Sequence, residues 1–185
     1  SFLIFIVVLG IESARQTVAR LKKGRRVEEL EQFALNDSMT GMYNRNAYDY
    51  FVKNEKDFEG YVIVTFDLNN LKQCNDQYGH RAGDEYIINA AHIIEDNFER
   101  YGKCYRIGGD EFCCIIPKGR YFKIERVMHK IDQDVEILNH KNIIPVPVGI
   151  AYGYAVFTAD DTDPEKVRER ADEDMYRNKK AMKQS

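Results

Sequence analysis

The run Tyr61–Leu68 (YVIVTFDL) decides the fold of this chain. It is a nearly continuous series of β-branched and aromatic residues, and a carboxylate, Asp67, stands at its end. A run of this kind is typical of a strand that is buried on both faces. We therefore expect it to be the central strand of a sheet, with polar chemistry where the strand ends.

Helix-like and strand-like segments alternate on both sides of this run. Two short apolar runs flank a Gly-Gly pair, which is the pattern of a β-hairpin. The mixture predicts one α/β sandwich in which helices pack on a sheet. The expected helices are Ala47–Phe58, Asn70–Tyr78, Asp84–Tyr101, Tyr121–Leu138 and Pro164–Met182, and the other expected strands are Cys104–Ile107, Phe112–Ile116 and Val148–Phe157.

Composition excludes several classes of protein. The 185 residues are 44% hydrophobic and 31% charged, which is the balance of a folded domain and not of a disordered chain. A formal charge of −3 argues against a general DNA-coating role, so we expect no nucleic acid polymer as a partner. The four cysteines do not have the spacing of a disulfide scaffold, which favours a reducing, cytosolic compartment.

The amino terminus differs from the rest of the chain. Phe2–Ile11 (FLIFIVVLGI) has no charge but supplies about half of the residues that a helix needs to cross a bilayer. We interpret it as the end of a transmembrane helix; a buried helix end or a signal-peptide core are alternatives. Six Lys and Arg residues follow between positions 15 and 26, as on the cytoplasmic flank of a span, although a solvated helix face has the same pattern.

Apolar residues then recur at spacings of three and four from Ile11 to Leu35. The pattern suits a short parallel coiled coil that joins two copies of the chain, but it is interrupted by a phase shift across Gly24. We therefore divide the chain into residues 1–35, the end of a membrane segment with a juxtamembrane signalling helix, and residues 36–185, a catalytic domain.

The first candidate site is Asp67–Lys72 (DLNNLK), at the end of the central run. A strand-end carboxylate provides an oxygen ligand for a hard cation, and the N–H groups that open the next helix can bind phosphate. The structural alternative is that Asn69 or Asn70 only caps that helix.

The second candidate site is the expected hairpin turn, Arg106–Phe112 (RIGGDEF). Successive strand residues point to opposite faces, so only one of Asp110 and Glu111 is expected to share a cation with Asp67. A plain hairpin with solvated acids is the alternative.

Between these sites lies the polar stretch Asn75–Asp84 (NDQYGHRAGD), in which an amide and a carboxylate could together satisfy a purine edge. In the last helix, Lys179 and Lys183 fall on one face and could reach phosphates.

The combined motifs resemble the diguanylate cyclase, or GGDEF domain, family over residues 36–185. The resemblance implies an α/β (α+β) palm-like fold of the nucleotide-cyclase and polymerase-palm type, with a central, mostly antiparallel sheet flanked by helices. It also implies condensation of two GTP into cyclic di-GMP and two pyrophosphates. The matching motifs are Asp37–Arg45 (DSMTGMYNR), Asp67–Lys72, Asn75–Asp76, Gly79–His80, Gly83–Asp84 and Gly108–Phe112 (GGDEF).

The resemblance assigns a role to each candidate residue. It implies that Asp67, Asp110 and the Leu68 carbonyl hold Mg²⁺ or Mn²⁺, two ions per active half-site. Glu111 would assist in holding the metal. Asp110 would aid deprotonation of the attacking 3′-hydroxyl, and Lys72 would offset charge in the transition state. The substrate-binding residues would be Asn70, Leu71 and Lys72 for phosphates, Asn75 and Asp84 for the guanine edge, and Lys179 and Lys183 for the triphosphate.

Some positions depart from the family pattern. Asn69 and Leu71 stand where many members have Asp and Phe, and Lys183 stands where many have Arg. The product-inhibition motif is absent, because its two positions hold Glu99 and Gly102. We therefore expect no strong feedback inhibition at that site.

The resemblance also implies an assembly and a location. The expected active form is a homodimer in which each domain contributes one GTP, with an unknown sensor domain upstream. The expected location is the cytoplasmic face of the bacterial inner membrane, the isolated domain being soluble. The alternative hypothesis is a catalytically silent module that binds GTP and acts through dimerisation or regulation.

Overall fold

The computed structural model describes residues 34–119 and 123–182. Backbone contacts divide the chain into two units, Ser1–Leu35 and Asn36–Ser185. The predicted membrane segment, signalling helix and coiled coil lie almost wholly outside the described residues and stay predictions. Among the described residues, no helix is both long and apolar enough to cross a bilayer.

The second unit contains five helices and four strands within its described residues. In chain order the elements are α1 (Arg45–Asn54), β1 (Val62–Asn69), α2 (Leu71–Tyr78), α3 (His80–Phe98), β2 (Lys103–Arg106), β3 (Glu111–Ile116), α4 (Ile124–His140), β4 (Gly149–Val156) and α5 (Pro164–Met182). All strand pairs of the sheet are antiparallel, and the strand order is β2-β3-β1-β4. The fold class predicted from the sequence, a mostly antiparallel sheet flanked by helices, is confirmed.

Strand β1 is the central strand, as predicted from its apolar run. It pairs with β3 along one edge and with β4 along the other. Its even-numbered residues, such as Val64 and Phe66, belong to the apolar core that also includes side chains of α2, α3 and α4. Its odd-numbered residues face the opposite way, and Asp67 there contacts α5.

Helix α5 lies directly against β4 at Gly153. A Cβ atom at this position would lie 2.0 Å from the Met175 nitrogen and 2.3 Å from the Ala171 carbonyl oxygen, and both of these atoms belong to the α5 backbone. Only a glycine therefore allows this approach of helix to strand. The contact fixes where the distal part of α5, which carries Lys179, lies relative to the sheet.

Several predicted helix and strand bounds were wrong by a few residues. Helix α1 ends at Asn54 and not at Phe58, because the Glu55 carboxylate accepts hydrogen bonds from the N–H groups of Lys56 and Asp57 in a turn. Helix α3 begins at His80 and not at Asp84, directly after Gly79, whose φ of 81° turns the chain between α2 and α3.

The four cysteines, Cys74, Cys104, Cys113 and Cys114, are free and buried. Cys104 and Cys114 face each other across β2 and β3, with their sulfur atoms 3.0 Å apart. Burial raises the pKa of the Cys113 and Cys114 thiols well above the ordinary value. Both groups stay protonated near neutral pH, as expected of core thiols.

We expect Gly153→Ala to destabilise the domain by about 3 kcal/mol, because the added methyl group must push α5 away from β4. Urea unfolding followed by circular dichroism measures this change. Gly109→Ala is the control, since its Cβ would have no heavy atom within 4 Å and its φ is not in the left-handed region. Equal unfolding midpoints for the two variants would contradict the close contact described above.

Candidate functional site

Carboxylates from two neighbouring strands meet at the carboxyl end of β1. In the β1–β3 register, Asp67 lies directly opposite Glu111. Directly opposite residues of an antiparallel pair point to the same face, so Glu111 and not Asp110 is the cross-strand neighbour of Asp67. Asp110 precedes β3 in the turn, and its carbonyl accepts a hydrogen bond of 3.1 Å from the Leu68 N–H.

Lys179 of α5 reaches this end of the sheet and forms an ion pair with Asp67. The two side chains are only 25% and 17% exposed, so water screens the pair less than it would a surface salt bridge. The predicted phosphate ligand Lys179 and the predicted metal ligand Asp67 are therefore direct partners in this structure. Lys183 lies outside the described residues.

The chain turns sharply between β1 and α2. Asn70 has a φ of 63°, in the left-handed region, and its side chain makes no capping hydrogen bond to α2. Asn70 thus stands at the N-cap position of α2 without the side-chain hydrogen bond that a capping asparagine makes. The first N–H groups of a helix have no partner within the helix, so this turn and the start of α2 are suited to bind an anion. Lys72 lies in the first turn of α2, and its side chain is exposed.

A buried tyrosine of α3 holds the end of β1 in place. The Tyr86 side chain is 0% exposed, and its hydroxyl donates a 2.6 Å hydrogen bond to the Asn69 carbonyl. The same hydroxyl accepts a 2.7 Å hydrogen bond from the Gly149 N–H at the start of β4. Burial raises the pKa of this phenol above its ordinary value, so the hydroxyl keeps its proton as a donor.

The hairpin turn is held from both sides. The Glu111 carbonyl accepts hydrogen bonds from the N–H groups of Ile107 and Gly108. Arg106 donates to the Gly109 carbonyl at 2.8 Å and to Asp37 at 3.0 Å. The predicted hairpin is confirmed, and Arg106 connects its turn to the segment that enters the domain.

The pKa of Asp37 reflects this connection. Burial alone raises the pKa of the carboxyl group, but hydrogen bonds from the hydroxyl and N–H groups of Thr40 and from Arg106 outweigh it. The pKa therefore lies below its ordinary value, and Asp37 is ionised at neutral pH, where it pairs with Arg106.

Asn75 of α2 and Gly83 of α3 are in close contact. A Cβ on Gly83 would lie 2.0 Å from the Asn75 Oδ1 atom, so the absence of a side chain on Gly83 makes the room that the amide occupies. Asp84 is the next residue and is exposed. The structure thus places the Asn75 amide against the residue that precedes Asp84, and the joint reading of a purine edge by Asn75 and Asp84 stays a prediction.

The predicted site residues form neighbouring groups and not one cluster of ligands. Asp67, Glu111 and Lys179 meet at the end of β1, Asn70, Leu71 and Lys72 follow it directly, and Asn75 lies next to Gly83 and Asp84. Within residues 34–119 and 123–182, no group of three or more His, Cys, Asp or Glu side chains is close enough to hold a metal. Carboxylate and carbonyl oxygens nonetheless form the donor set that suits Mg²⁺ and Mn²⁺, and one of these carboxylates, Asp67, is paired with Lys179.

The sequence reasoning gave no role to Tyr86 or to the pairing of Arg106 with Asp37. A signal for Tyr86 was present, because it lies at helical spacing from Ala90 on the buried face of α3, and a buried tyrosine hydroxyl needs a hydrogen-bond partner. The Arg106–Asp37 pair joins residues that are 69 positions apart, and no local pattern indicates it.

The arrangement combines features that suit a charged nucleotide. It has oxygen ligands for a hard cation, N–H groups at a helix start that have no partner within the helix, the lysines Lys72 and Lys179, and an amide and a carboxylate that are proposed to bind a base edge. Together these groups can bind a nucleoside triphosphate with its divalent ion and stabilise charge on transferred phosphate.

Comparisons with known proteins show similarity to diguanylate cyclases. The curated relatives include a bifunctional diguanylate cyclase and cyclic di-GMP phosphodiesterase, MucR, from Pseudomonas aeruginosa, which is 31% identical over 147 residues. That match covers 75% of this chain and 22% of the relative. The diguanylate cyclase DgcS of Shewanella oneidensis is 28% identical over 158 residues, which are 82% of this chain and 52% of that protein. The chain thus spans about half or less of the length of these relatives.

The fold of this chain is similar to that of solved GGDEF domain structures. The coiled coil and GGDEF domain of DgcB from Caulobacter crescentus, in complex with c-di-GMP, aligns with a TM-score of 0.76 at 23% identity. The alignment covers 94% of this chain and 95% of that one. A microbial GGDEF domain with bound cyclic di-GMP aligns with a TM-score of 0.60 at 27% identity, covering 82% of this chain and 94% of that one.

The family described as "Diguanylate cyclase, GGDEF domain" matches residues 34–185, which include every group of the site described above. The chain therefore belongs to the GGDEF family of diguanylate cyclases.

Proposed function

We propose that this chain is an active diguanylate cyclase, which condenses two molecules of GTP into cyclic di-GMP and releases two pyrophosphates. The observation that carries the proposal is the ion pair of Lys179 with Asp67, which lies opposite Glu111 in the β1–β3 register and close to the turn at Asn70. The relatives MucR and DgcS are both named as diguanylate cyclases.

The proposed roles follow from position. N–H groups of Asn70 and Leu71, with Lys72, bind the terminal phosphates at the start of α2. Lys179 adds a further positive charge from α5, and Lys183 is proposed to extend it. Asn75 and Asp84 bind the guanine edge, where a carboxylate accepts hydrogen bonds from N1–H and the exocyclic amine.

Asp67, Asp110 and the Leu68 carbonyl are the proposed ligands of Mg²⁺ or Mn²⁺, two ions per half-site. Asp110 lies in the turn beside Leu68, whose N–H donates to the Asp110 carbonyl, and Glu111, which lies opposite Asp67, is proposed to assist. When bound, such ions neutralise charge on the phosphates around the reacting phosphorus atom. Asp110 accepts the proton of the attacking 3′-hydroxyl, and Lys72 stabilises charge on the phosphate that is transferred.

The ring of cyclic di-GMP has two phosphodiester bonds related by symmetry, and one site holds one GTP. We therefore propose that the active form is a homodimer in which two sites face each other. The same proposal includes a coiled coil within residues 1–35 that joins two copies of the chain. It also includes a sensor domain upstream and a location at the inner membrane.

The proposal is tested by incubating the whole chain with GTP and Mg²⁺ and measuring cyclic di-GMP by chromatography. We expect product from the native chain, and more when a dimerising coiled coil is fused in place of residues 1–31. Asp110→Asn should reduce the rate by about a hundredfold or more, as loss of an acid–base group does. Asp160→Asn, an exposed carboxylate in the loop before α5, is the matched control. GTP binding without product in both forms would instead favour the regulatory module.

The ion pair between Lys179 and Asp67 leads to a second prediction. A cation can bind Asp67 only after the Lys179 ammonium has moved, and the triphosphate offers that ammonium a new partner. Lys179→Met should therefore strengthen Mn²⁺ binding in the absence of nucleotide by about tenfold, which corresponds to about 1.4 kcal/mol. Electron paramagnetic resonance of free Mn²⁺ measures the change.

The matched control for this experiment is Lys180→Met. Lys180 is the next residue, but its ammonium lies over the Tyr176 ring, 4.4 Å from the centroid. The control should leave Mn²⁺ binding unchanged. If the two variants bind Mn²⁺ equally, the pair with Asp67 does not compete with the metal.

Gly83→Ala should weaken GTP binding by about tenfold without lowering stability. The new methyl group displaces the Asn75 amide, whereas alanine favours the helix by up to about 1 kcal/mol over glycine. Asn75→Ala should have the same effect, and the double variant should add nothing to it. Additive losses in GTP affinity, measured by calorimetry, would show that Gly83 does not act through Asn75.

A further inference from the structure

The hydroxyl of Tyr86 binds two backbone groups that face each other where β1 ends and β4 begins. Asn69 and Gly149 are the last pair of the β1–β4 register. The hydroxyl donates to the Asn69 carbonyl at 2.6 Å and accepts from the Gly149 N–H at 2.7 Å. One hydroxyl group therefore fixes both strand ends at the position where the chain leaves the sheet.

The carbonyl that Tyr86 binds belongs to the peptide unit that joins Asn69 to Asn70. A trans peptide unit is planar, and its C=O and N–H point in opposite directions. A hydrogen bond that fixes the Asn69 oxygen therefore also fixes the direction of the Asn70 N–H. This direction cannot be set by the Asn70 side chain, which makes no capping hydrogen bond.

The backbone conformation of Asn70 explains why the direction of its N–H must be held by another residue. Its φ of 63° lies in a region that residues other than glycine seldom adopt, although asparagine tolerates it better than most. Rotation of the preceding peptide unit would relieve this conformation and turn the Asn70 N–H away. Gly149 lies close to Asn69, because a Cβ added to this glycine would be only 3.2 Å from the Asn69 Cβ.

We propose that Tyr86 is a positioning residue that aims the Asn70 N–H at the terminal phosphates of the bound nucleotide. The inference rests on the proposed function, because it uses the phosphate-binding role of Asn70. Tyr86 touches no substrate group and acts only through the Asn69 carbonyl. Since Asp84 lies two residues earlier on the same helix, α3 also links the guanine-binding side of the site to its phosphate-binding side.

The test compares two guanine nucleotides that differ in their terminal phosphates. Calorimetry with Mg²⁺ measures the affinity for guanosine 5′-(α,β-methylene)triphosphate, which cannot react at its α-phosphate, and for GMP. Tyr86→Phe should weaken binding of the triphosphate about tenfold, the effect of losing one well-aimed hydrogen bond to a charged group, and should change GMP binding less than about twofold.

Tyr48→Phe is the matched control. Tyr48 is also 0% exposed and also loses one hydroxyl hydrogen bond, at 3.3 Å to Glu165, but it lies on α1 and packs against Tyr105. We expect this variant to bind both nucleotides as the native chain does. An equal loss of triphosphate and GMP binding in Tyr86→Phe, or no loss, would overturn the proposed role.

The outcomes separate this inference from the function on which it rests. A native chain that fails to bind the triphosphate overturns both, whereas normal native binding with an unaffected Tyr86→Phe overturns only the role of Tyr86. Hydrogen exchange of the native chain provides a measurement that does not depend on the folding of a variant. The Gly149 N–H, bonded to the Tyr86 hydroxyl, should be protected without nucleotide, and fast exchange would contradict the proposal.

Discussion

The pairing of β1 on both edges is the constraint on which the rest of the domain depends. A strand with neighbours on both sides and helices above and below has no free backbone group until it ends. The one charged side chain of β1, Asp67, lies near the point where the ladder stops. At that point the structure gathers Asp67, the turn at Asn70 and the hydroxyl of Tyr86. The location of the site follows from the burial of the strand.

The groups around this strand end are held by bonds that come from distant parts of the sequence. Arg106 ties the hairpin turn to Asp37, Tyr86 ties β1 to β4, and Lys179 comes from the last helix. Each of these bonds crosses between elements, so the site is rigid only when the whole sheet is assembled. A site of this kind is organised before a ligand arrives, which reduces the cost of ordering it on binding.

Much of this fold could be predicted from the sequence. The apolar run before Asp67 identifies the central strand, the Gly-Gly pair identifies the hairpin, and Pro164 marks the start of α5. The choice between Asp110 and Glu111 could not be made, because alternation along a strand says that they differ in face but not which one faces Asp67. That depends on the length of the turn. The contacts of Lys179 and Tyr86 join residues 112 and 17 positions apart, and local patterns do not contain them.

The close approach of α5 to β4 at Gly153 has a consequence for how fast the site can rearrange. Because the helix backbone touches the strand there, α5 cannot slide or tilt without leaving the sheet. Lys179 must therefore change partners by turning its own flexible side chain. Rotations of this kind in partly exposed side chains take picoseconds to nanoseconds, whereas hinge movements of whole elements take microseconds or longer. Under the proposed function, the Lys179 ammonium can therefore pass from Asp67 to a phosphate without any movement of α5.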